Sequence, residues 1–354
     1  MTTLAPSTRR AIAGLSLALL VVAGPSFGAF TLHEGANQPL PGVNLPSGSF
    51  GSDGTKRERD YTYPKRSDVD YFASKGFKVF RIAFFAKRLV APDGTGGFAP
   101  TEDMKILVDL IDYAATKDAS VILDMHDYGE SFSGKLIGTD PGAVEEFAGT
   151  WGAIASEVSR RPNVIFGLMN EPNKQSSAEW LKGANAATTA IRDAGAYQLV
   201  LVPGSHWDSA YSWTSTDNAK VMLGFQDPAD NFAYEVHQYL DSDGSGTHTT
   251  VVPGAGSERL AAFTDWARKH NARAFLGEFG WAANAPAEKE GRAMLCYMSR
   301  NQDVWLGWAY WAGGPWWGDY MFSIQPKDGA DRPQMHVLSE FSNTTAPADC
   351  APKT

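Results

Sequence analysis

Asn163–Pro172 reads NVIFGLMNEP, and Arg273–Gly280 reads RAFLGEFG. In each, an acidic residue (Glu171, Glu278) closes an apolar, strand-like run. A near-continuous apolar strand is buried on both faces, as in a parallel sheet. A carboxylate at its C-terminal end then sits at the mouth of the sheet or barrel rather than on a wet edge. Burying a charge without a partner is costly, so two such acids call for a shared explanation. Taken singly, either could cap the next helix or pair with a core arginine. Taken together, they fit paired acid/base and nucleophilic chemistry on a glycosidic bond.

Similar runs recur at a steady interval along the chain. They begin near Gly42 (GVNL), Lys78 (KVFRIAFF), Ser120 (SVILDM), Asn163, Gln198 (QLVLVP), Phe232 (FAYEVH), Arg273 and Leu306 (LGWAYW). Helical patterns fill most of the gaps. Thr101–Lys117 carries apolar residues at helical spacing behind an N-cap threonine, and Val144–Val158 repeats the pattern. Ser176 and Glu179 form a capping-box signature before Trp180 and Leu181. Ser257–His270 and Pro286–Met298 supply two further helices. Only the gap between Gln198 and Phe232 has a weak helical signal. Eight strands alternating with helices, in one compositional regime, predict an α/β fold: a single-domain (β/α)₈ TIM barrel spanning residues 30–342.

The ends read differently. Residues 1–29 have the form of a signal peptide, with Arg9 and Arg10 ahead of an apolar segment, Ala11–Gly24, too short to span a bilayer. Small residues near Gly28 and Ala29 offer a cleavage site, and the arginine pair admits either general or twin-arginine export. The expectation is a secreted chain, extracellular or periplasmic in transit, with no membrane association after cleavage. About 325 residues then remain, a size that α/β barrels routinely reach. Residues 343–354 read as a loose tail. Cys296 and Cys350 either form one bridge that pins this tail or leave Cys296 as a buried thiol. No linker or trailing binding module is visible. The net charge of −9 argues against nucleic acid or anionic membrane and suits a neutral polymer. The chain is expected to act as a monomer.

In such a barrel the strand ends converge on one rim. Arg81 is expected at the end of the second strand, His126 after the third, Asn170 and Glu171 after the fourth, His237 and Tyr239 after the sixth, Glu278 after the seventh and Trp311 after the eighth. Each alone has a bland explanation, but the set in strand order does not. Of 11 tryptophans, Trp151 and Trp266 read as core, whereas Trp207, Trp213, Trp316 and Trp317 lie in loop-like segments and are expected as platforms for sugar rings.

Other motifs fail on inspection. Gly129–Lys135 nearly reads as a phosphate loop, but Leu136 stands where a hydroxyl should bind magnesium. Asp241–Gly246 resembles half a calcium loop without its distal acid, and reads instead as a turn-rich substrate loop. There is no GxSxG and no HExxH. No metal and no cofactor are expected.

At these residues the chain resembles glycoside hydrolase family 5, the cellulase family. Asn170-Glu171-Pro172 matches that family's acid/base motif and Gly277-Glu278-Phe279-Gly280 its nucleophile motif. Arg81, His126, His237, Tyr239 and Trp311 match its other rim residues. The stretches His237–Thr247 and Trp311–Tyr320 are similar to its endo-β-1,4-glucanase branch. The resemblance implies a retaining hydrolase of β-1,4-glucan, with β-mannanase, another β-glucanase or a non-catalytic glycan-binding barrel as alternatives. It implies that Glu171 is the proton donor and Glu278 the nucleophile. The donor must hold its proton at working pH, which burial and repulsion from the other acid favour. Arg81 and Tyr239 would hold the nucleophile, Asn170 would bind the sugar 2-hydroxyl, and His126 and His237 would bind hydroxyls or orient the acids. Trp311 would floor the subsite beside the scissile bond, with Trp207 and Trp316 farther along the cleft.

Overall fold

The computed structural model describes residues 1–2, 38–46, 48–51, 54, 56–342 and 345–350. Residues 3–29 of the expected signal peptide lie outside the described residues. Eight parallel strands close into a barrel: β1 (Leu40–Asn44), β2 (Val79–Phe84), β3 (Ser120–Met125), β4 (Val164–Gly167), β5 (Val200–Pro203), β6 (Phe232–His237), β7 (Ala274–Phe279) and β8 (Trp305–Tyr310). Each pairs with its sequence neighbour, and β8 closes on β1 through Leu40↔Gly307 to Val43↔Tyr310. All eight expected runs are therefore barrel strands.

Helices follow the strands on the outside: α1 (Arg66–Ser74), α2 (Glu102–Ala115), α3 (Ala143–Val158), α4 (Ser177–Asp193), α5 (Asn218–Val221), α6 (Ala255–Lys269), α7 (Ala285–Arg300) and α8 (Met335–Phe341). Local chemistry explains their starts. Thr101 precedes α2, whose first turn holds Glu102 and Asp103 against the positive end of the helix dipole. The Ser176–Glu179 capping box opens α4, with each side chain accepting the other residue's backbone N–H. Asn284 caps α7. The weak helical signal between β5 and β6 corresponds to a single turn, α5, flanked by 3₁₀ turns. A small antiparallel hairpin, Val90–Pro92 with Phe98–Pro100, was not foreseen.

Two indole N–H groups tie outer helices to the rim. Trp151 on α3 donates to the Leu168 carbonyl at 3.0 Å, and Trp180 on α4 donates to the Pro203 carbonyl at 2.7 Å. These bonds fix the chain just before Asn170 and at the end of β5.

The lumen is layered. Val79, Ile122, Ile165, Leu199, Leu201, Ala233, Phe275 and Ala309 fill its lower part as a separate apolar cluster. Side chains alternate along a strand, so the residues two positions on also face inward. Those include Arg81, Asp124 and Glu235, and Asn44 follows Leu40 by the same alternation; all four are fully buried. Arg81 is thus not the last residue of its strand, as its sequence position suggested. It lies mid-strand in β2, facing the lumen, because the strand continues to Phe84.

The C-terminal segment is tethered. Cys296 on α7 and Cys350 form a disulfide across 54 residues. Arg292 on α7 pairs with Glu340 at 2.7 Å and Asp349 at 2.8 Å. Residues 345–350 are therefore held against α7 rather than loose. Closing a loop of this length contributes about 4 kcal/mol in the chain-entropy account.

Candidate active site

Glu278 faces the barrel axis because β7 carries an irregularity there. The register with β6 shifts between Val236↔Leu276 and His237↔Glu278, and the pairing with β8 shifts at the same place. A bulge re-aims a side chain in this way. Gly277 permits it, since a Cβ there would stand 2.1 Å from Glu235 Oε1. Asn44 fixes the bulged backbone by donating to the Gly277 carbonyl at 2.8 Å.

Arg81 is the hub. Its guanidinium donates to Glu278 Oε1 (2.8 Å), Glu235 Oε1 (2.9 Å), Asn44 Oδ1 (2.9 Å) and Asn170 Oδ1 (3.0 Å), and pairs with Asp124 Oδ2 at 3.0 Å. Burial works against this charge, but the carboxylates of Asp124, Glu235, Glu278 and Asp208 outweigh it and raise the guanidinium's affinity for its proton. Tyr239 O–H donates to Glu278 Oε2 at 2.9 Å. Both oxygens of Glu278 therefore accept charge-stabilising hydrogen bonds. Burial nonetheless pushes this carboxyl above the ordinary range, against the opposing fields of His237 and Arg81.

Glu171 follows β4 in a left-handed conformation (φ 43°). Its Oε1 faces His237 Nδ1 at 2.8 Å. Burial disfavours a charged imidazole, but Asp208, Glu278, Glu171 and Glu235 surround His237 and hold its proton affinity well above normal. His237 Nδ1 thus donates to Glu171. One facing atom from each of Glu171, His237 and Glu278 lies within 4.8 Å of the others. Those atoms are already engaged with one another or with Arg81 and Tyr239.

His126 Nδ1 faces Asp124 Oδ2 at 2.7 Å, and its ring stacks on Trp311 at 5.9 Å and 15°. Burial would raise Asp124, but Arg81 and His126 hold it below the usual carboxylate range. Trp311 also meets Phe50 and Trp317. Arg81, His126, Asn170, Glu171, His237, Tyr239, Glu278 and Trp311 are all brought together on one rim.

Trp207 and Trp316 are 55% and 41% exposed beyond this cluster. Trp207 stands between two open cavities. One, about 440 Å³, is lined by Glu171, Tyr211, His237 and Tyr239; the other, about 750 Å³, by Phe85, Asp127, Tyr128 and Lys174. Trp213 does not join them. It is fully buried against Tyr234, Phe263 and Trp266, because the loop-like composition around it hides a 3₁₀ turn that packs under α6. The discarded motifs also have structural explanations. Glu146 accepts from the hydroxyls of Ser131 and Ser133 inside the phosphate-loop look-alike. Asp241 accepts the backbone N–H groups of Gly246, Thr247 and His248 and organises its own loop.

Sequence reasoning missed Asn44, Asp124, Asp208 and Glu235 as part of this network. For Asn44, Asp124 and Glu235 a signal existed: each lies two residues beyond a lumen position on its strand.

The pattern for cellulases of glycosyl hydrolase family 5 matches residues 36–314. The chain belongs to this family. It is 38% identical to endo-beta-1,4-glucanase A of Emericella nidulans, over 90% of this chain and 94% of that protein. Among solved structures it is similar to an endo-beta-1,4-glucanase of Xanthomonas axonopodis pv. citri carrying three substitutions (41% identity, TM-score 0.80, covering 86% of this chain and 99% of that one). It is also similar to endoglucanase Cel5A of Pseudomonas stutzeri in complex with cellobiose (33% identity, TM-score 0.76, covering 86% and 92%). The closed barrel and single-domain organisation agree with this family-5 membership.

Proposed function

We propose that this chain is an endo-acting β-1,4-glucanase that cleaves internal glucosidic bonds with retention of anomeric configuration. The observation that carries this reading is the approach of Glu171 and Glu278, whose facing oxygens lie within 4.8 Å. Retaining glycosidases hold their carboxyl groups about 5–5.5 Å apart, whereas inverting ones need about 6.5–9.5 Å to admit a water.

Glu278 acts as nucleophile. Arg81 opposes the effect of burial on its carboxyl, and Arg81 and Tyr239 together aim it at the anomeric carbon. Glu171 protonates the leaving oxygen as the glycosyl–enzyme bond forms. In the second half-reaction Glu171 takes a proton from water, which attacks the same carbon and releases Glu278. His237 donates to Glu171 and steadies the carboxylate formed between the two steps. Because Arg81 holds Asn170 Oδ1, the amide NH₂ is the end left to bind the sugar 2-hydroxyl. Trp311, backed by His126, floors the reacting subsite, and Trp207 and Trp316 extend the cleft for a longer chain. A β-1,4-glucan is the substrate, and export by way of residues 1–29 would deliver the enzyme to it.

The test is release of reducing ends from carboxymethyl-cellulose, galactomannan and laminarin in parallel. Cellulose derivative should be cut fastest. Faster cleavage of galactomannan would overturn the substrate assignment.

A further inference from the structure

The turn after β5 is folded in an unusual way. His206, Trp207 and Asp208 are three consecutive non-glycine residues with left-handed φ (57°, 60° and 41°), a conformation that costs free energy and persists only when its surroundings enforce it. Here they do. His206 Nε2 pairs with Asp217 at 2.8 Å, Asn218 exchanges hydrogen bonds with the Ser205 backbone at 3.0 and 2.8 Å, and Trp207 N–H donates to the Pro172 carbonyl at 3.1 Å. The turn sends its two central side chains in opposite directions. Trp207 is exposed to the cleft, and Asp208 is fully buried.

Asp208 Oδ1 stops 3.5 Å from His237 Nδ1, the nitrogen already bonded to Glu171. Neither oxygen of Asp208 has a hydrogen-bond partner. A buried, unpartnered carboxylate is among the costliest groups to keep charged. The charged and titratable groups facing it are His237 and Glu235 from β6, Glu171 after β4, Glu278 from β7 and Arg81 from β2. Most of these are acids.

We propose that Asp208 is a positioning residue for the catalytic acid: it and Glu171 form a proton-sharing pair across Nδ1 of His237. This deepens the assignment of Glu171 as acid/base and rests on it. Two carboxyls facing one imidazole nitrogen do not both ionise readily. Once one has lost its proton, the second must lose its own against that charge, so the pair releases protons in two separated steps. The proton that remains after the first step is held between Asp208 and Glu171, the two carboxyls that face this nitrogen. Burial, reinforced by Glu171, Glu235 and Glu278 and opposed by His237, agrees in holding Asp208 well above the usual carboxylate range.

The test compares the parent with Asp208→Asn. Asparagine tolerates left-handed φ, and Asp208→Ser serves as a second neutral variant should the amide disturb folding. On phenyl β-cellobioside, whose leaving group needs a proton, the alkaline limb of kcat/KM should move down by about one pH unit, the size at which sites count as coupled. On 2,4-dinitrophenyl β-cellobioside, whose leaving group needs none, the limb should stay. An unmoved limb on the phenyl substrate, or an equal shift on both, overturns the proposal.

A second readout does not involve catalysis. A carboxyl raised in the folded state lowers stability above its unfolded value of about 3.9, and the penalty grows until pH reaches the folded value. The Tm of Asp208→Asn relative to the parent should therefore climb as pH rises above about 4. A flat difference would contradict a proton held at Asp208. Failure of the underlying assignment would show separately, as retained phenyl-cellobioside turnover in Glu171→Gln.

Discussion

Val79 and Arg81, Ile122 and Asp124, and Ala233 and Glu235 are pairs of lumen-facing neighbours on the same three strands. The first member of each pair is apolar and the second ionisable. Below, side chains pack without polar atoms and need nothing from one another but shape. Above, every group depends on a partner: Arg81 pairs with Asp124, Glu235 and Glu278 at once. The barrel changes from a core to a reaction vessel over one strand repeat. The lower layer stabilises the fold and leaves chemistry untouched. The upper layer is costly to fold, and its charges make sense only as preorganisation for a reaction.

Substitutions in the two layers should separate these roles. Glu278→Gln should give the largest effect: turnover falls by orders of magnitude while the chain still melts cooperatively near the parent temperature. Near-normal activity with a native melting curve would remove Glu278 from the nucleophile's position. Glu171→Gln should cost about 10²–10⁴-fold on substrates with poor leaving groups and far less on dinitrophenyl glycosides.

Arg81→Met crosses the comparison, because it strips three buried carboxylates of their shared cation. Breaking a buried pair costs about 3–5 kcal/mol, so both stability in urea and activity should fall. Ile165→Ala in the lower layer should also cost about 2–5 kcal/mol, yet kcat of the folded fraction should stay within a few-fold of the parent. A large loss of kcat in Ile165→Ala without unfolding would blur the distinction between the layers. Trp207→Ala should be mildest, raising KM for long glucans more than it lowers kcat.

The division between legible and hidden features follows the same line. The strands were readable because burial on both faces leaves runs such as VIFGLM and KVFRIAFF that nothing else in a soluble chain requires. Glu171 and Glu278 were readable because each closes such a run. Arg81 was recognised but placed at a strand end, since a charge inside an apolar run looks like its boundary. Glu235 is hidden within FAYEVH for the same reason, although strand periodicity puts it on the inward face. Asp208 had no such signal. Its importance comes from a left-handed turn that only tertiary contacts enforce. Trp213 looks like a loop residue because its polar neighbours in sequence conceal an apolar pocket under α6. Composition likewise made residues 345–350 look loose, when Cys350 and Asp349 fasten them to α7.

The central claim is that the acids of two distant strands face each other closely enough for direct attack on the sugar. Proton NMR of the first-formed hydrolysis product of a cello-oligosaccharide tests it most directly. The β-anomer should appear first and then mutarotate. First appearance of the α-anomer would contradict the double displacement and the roles given to Glu171 and Glu278.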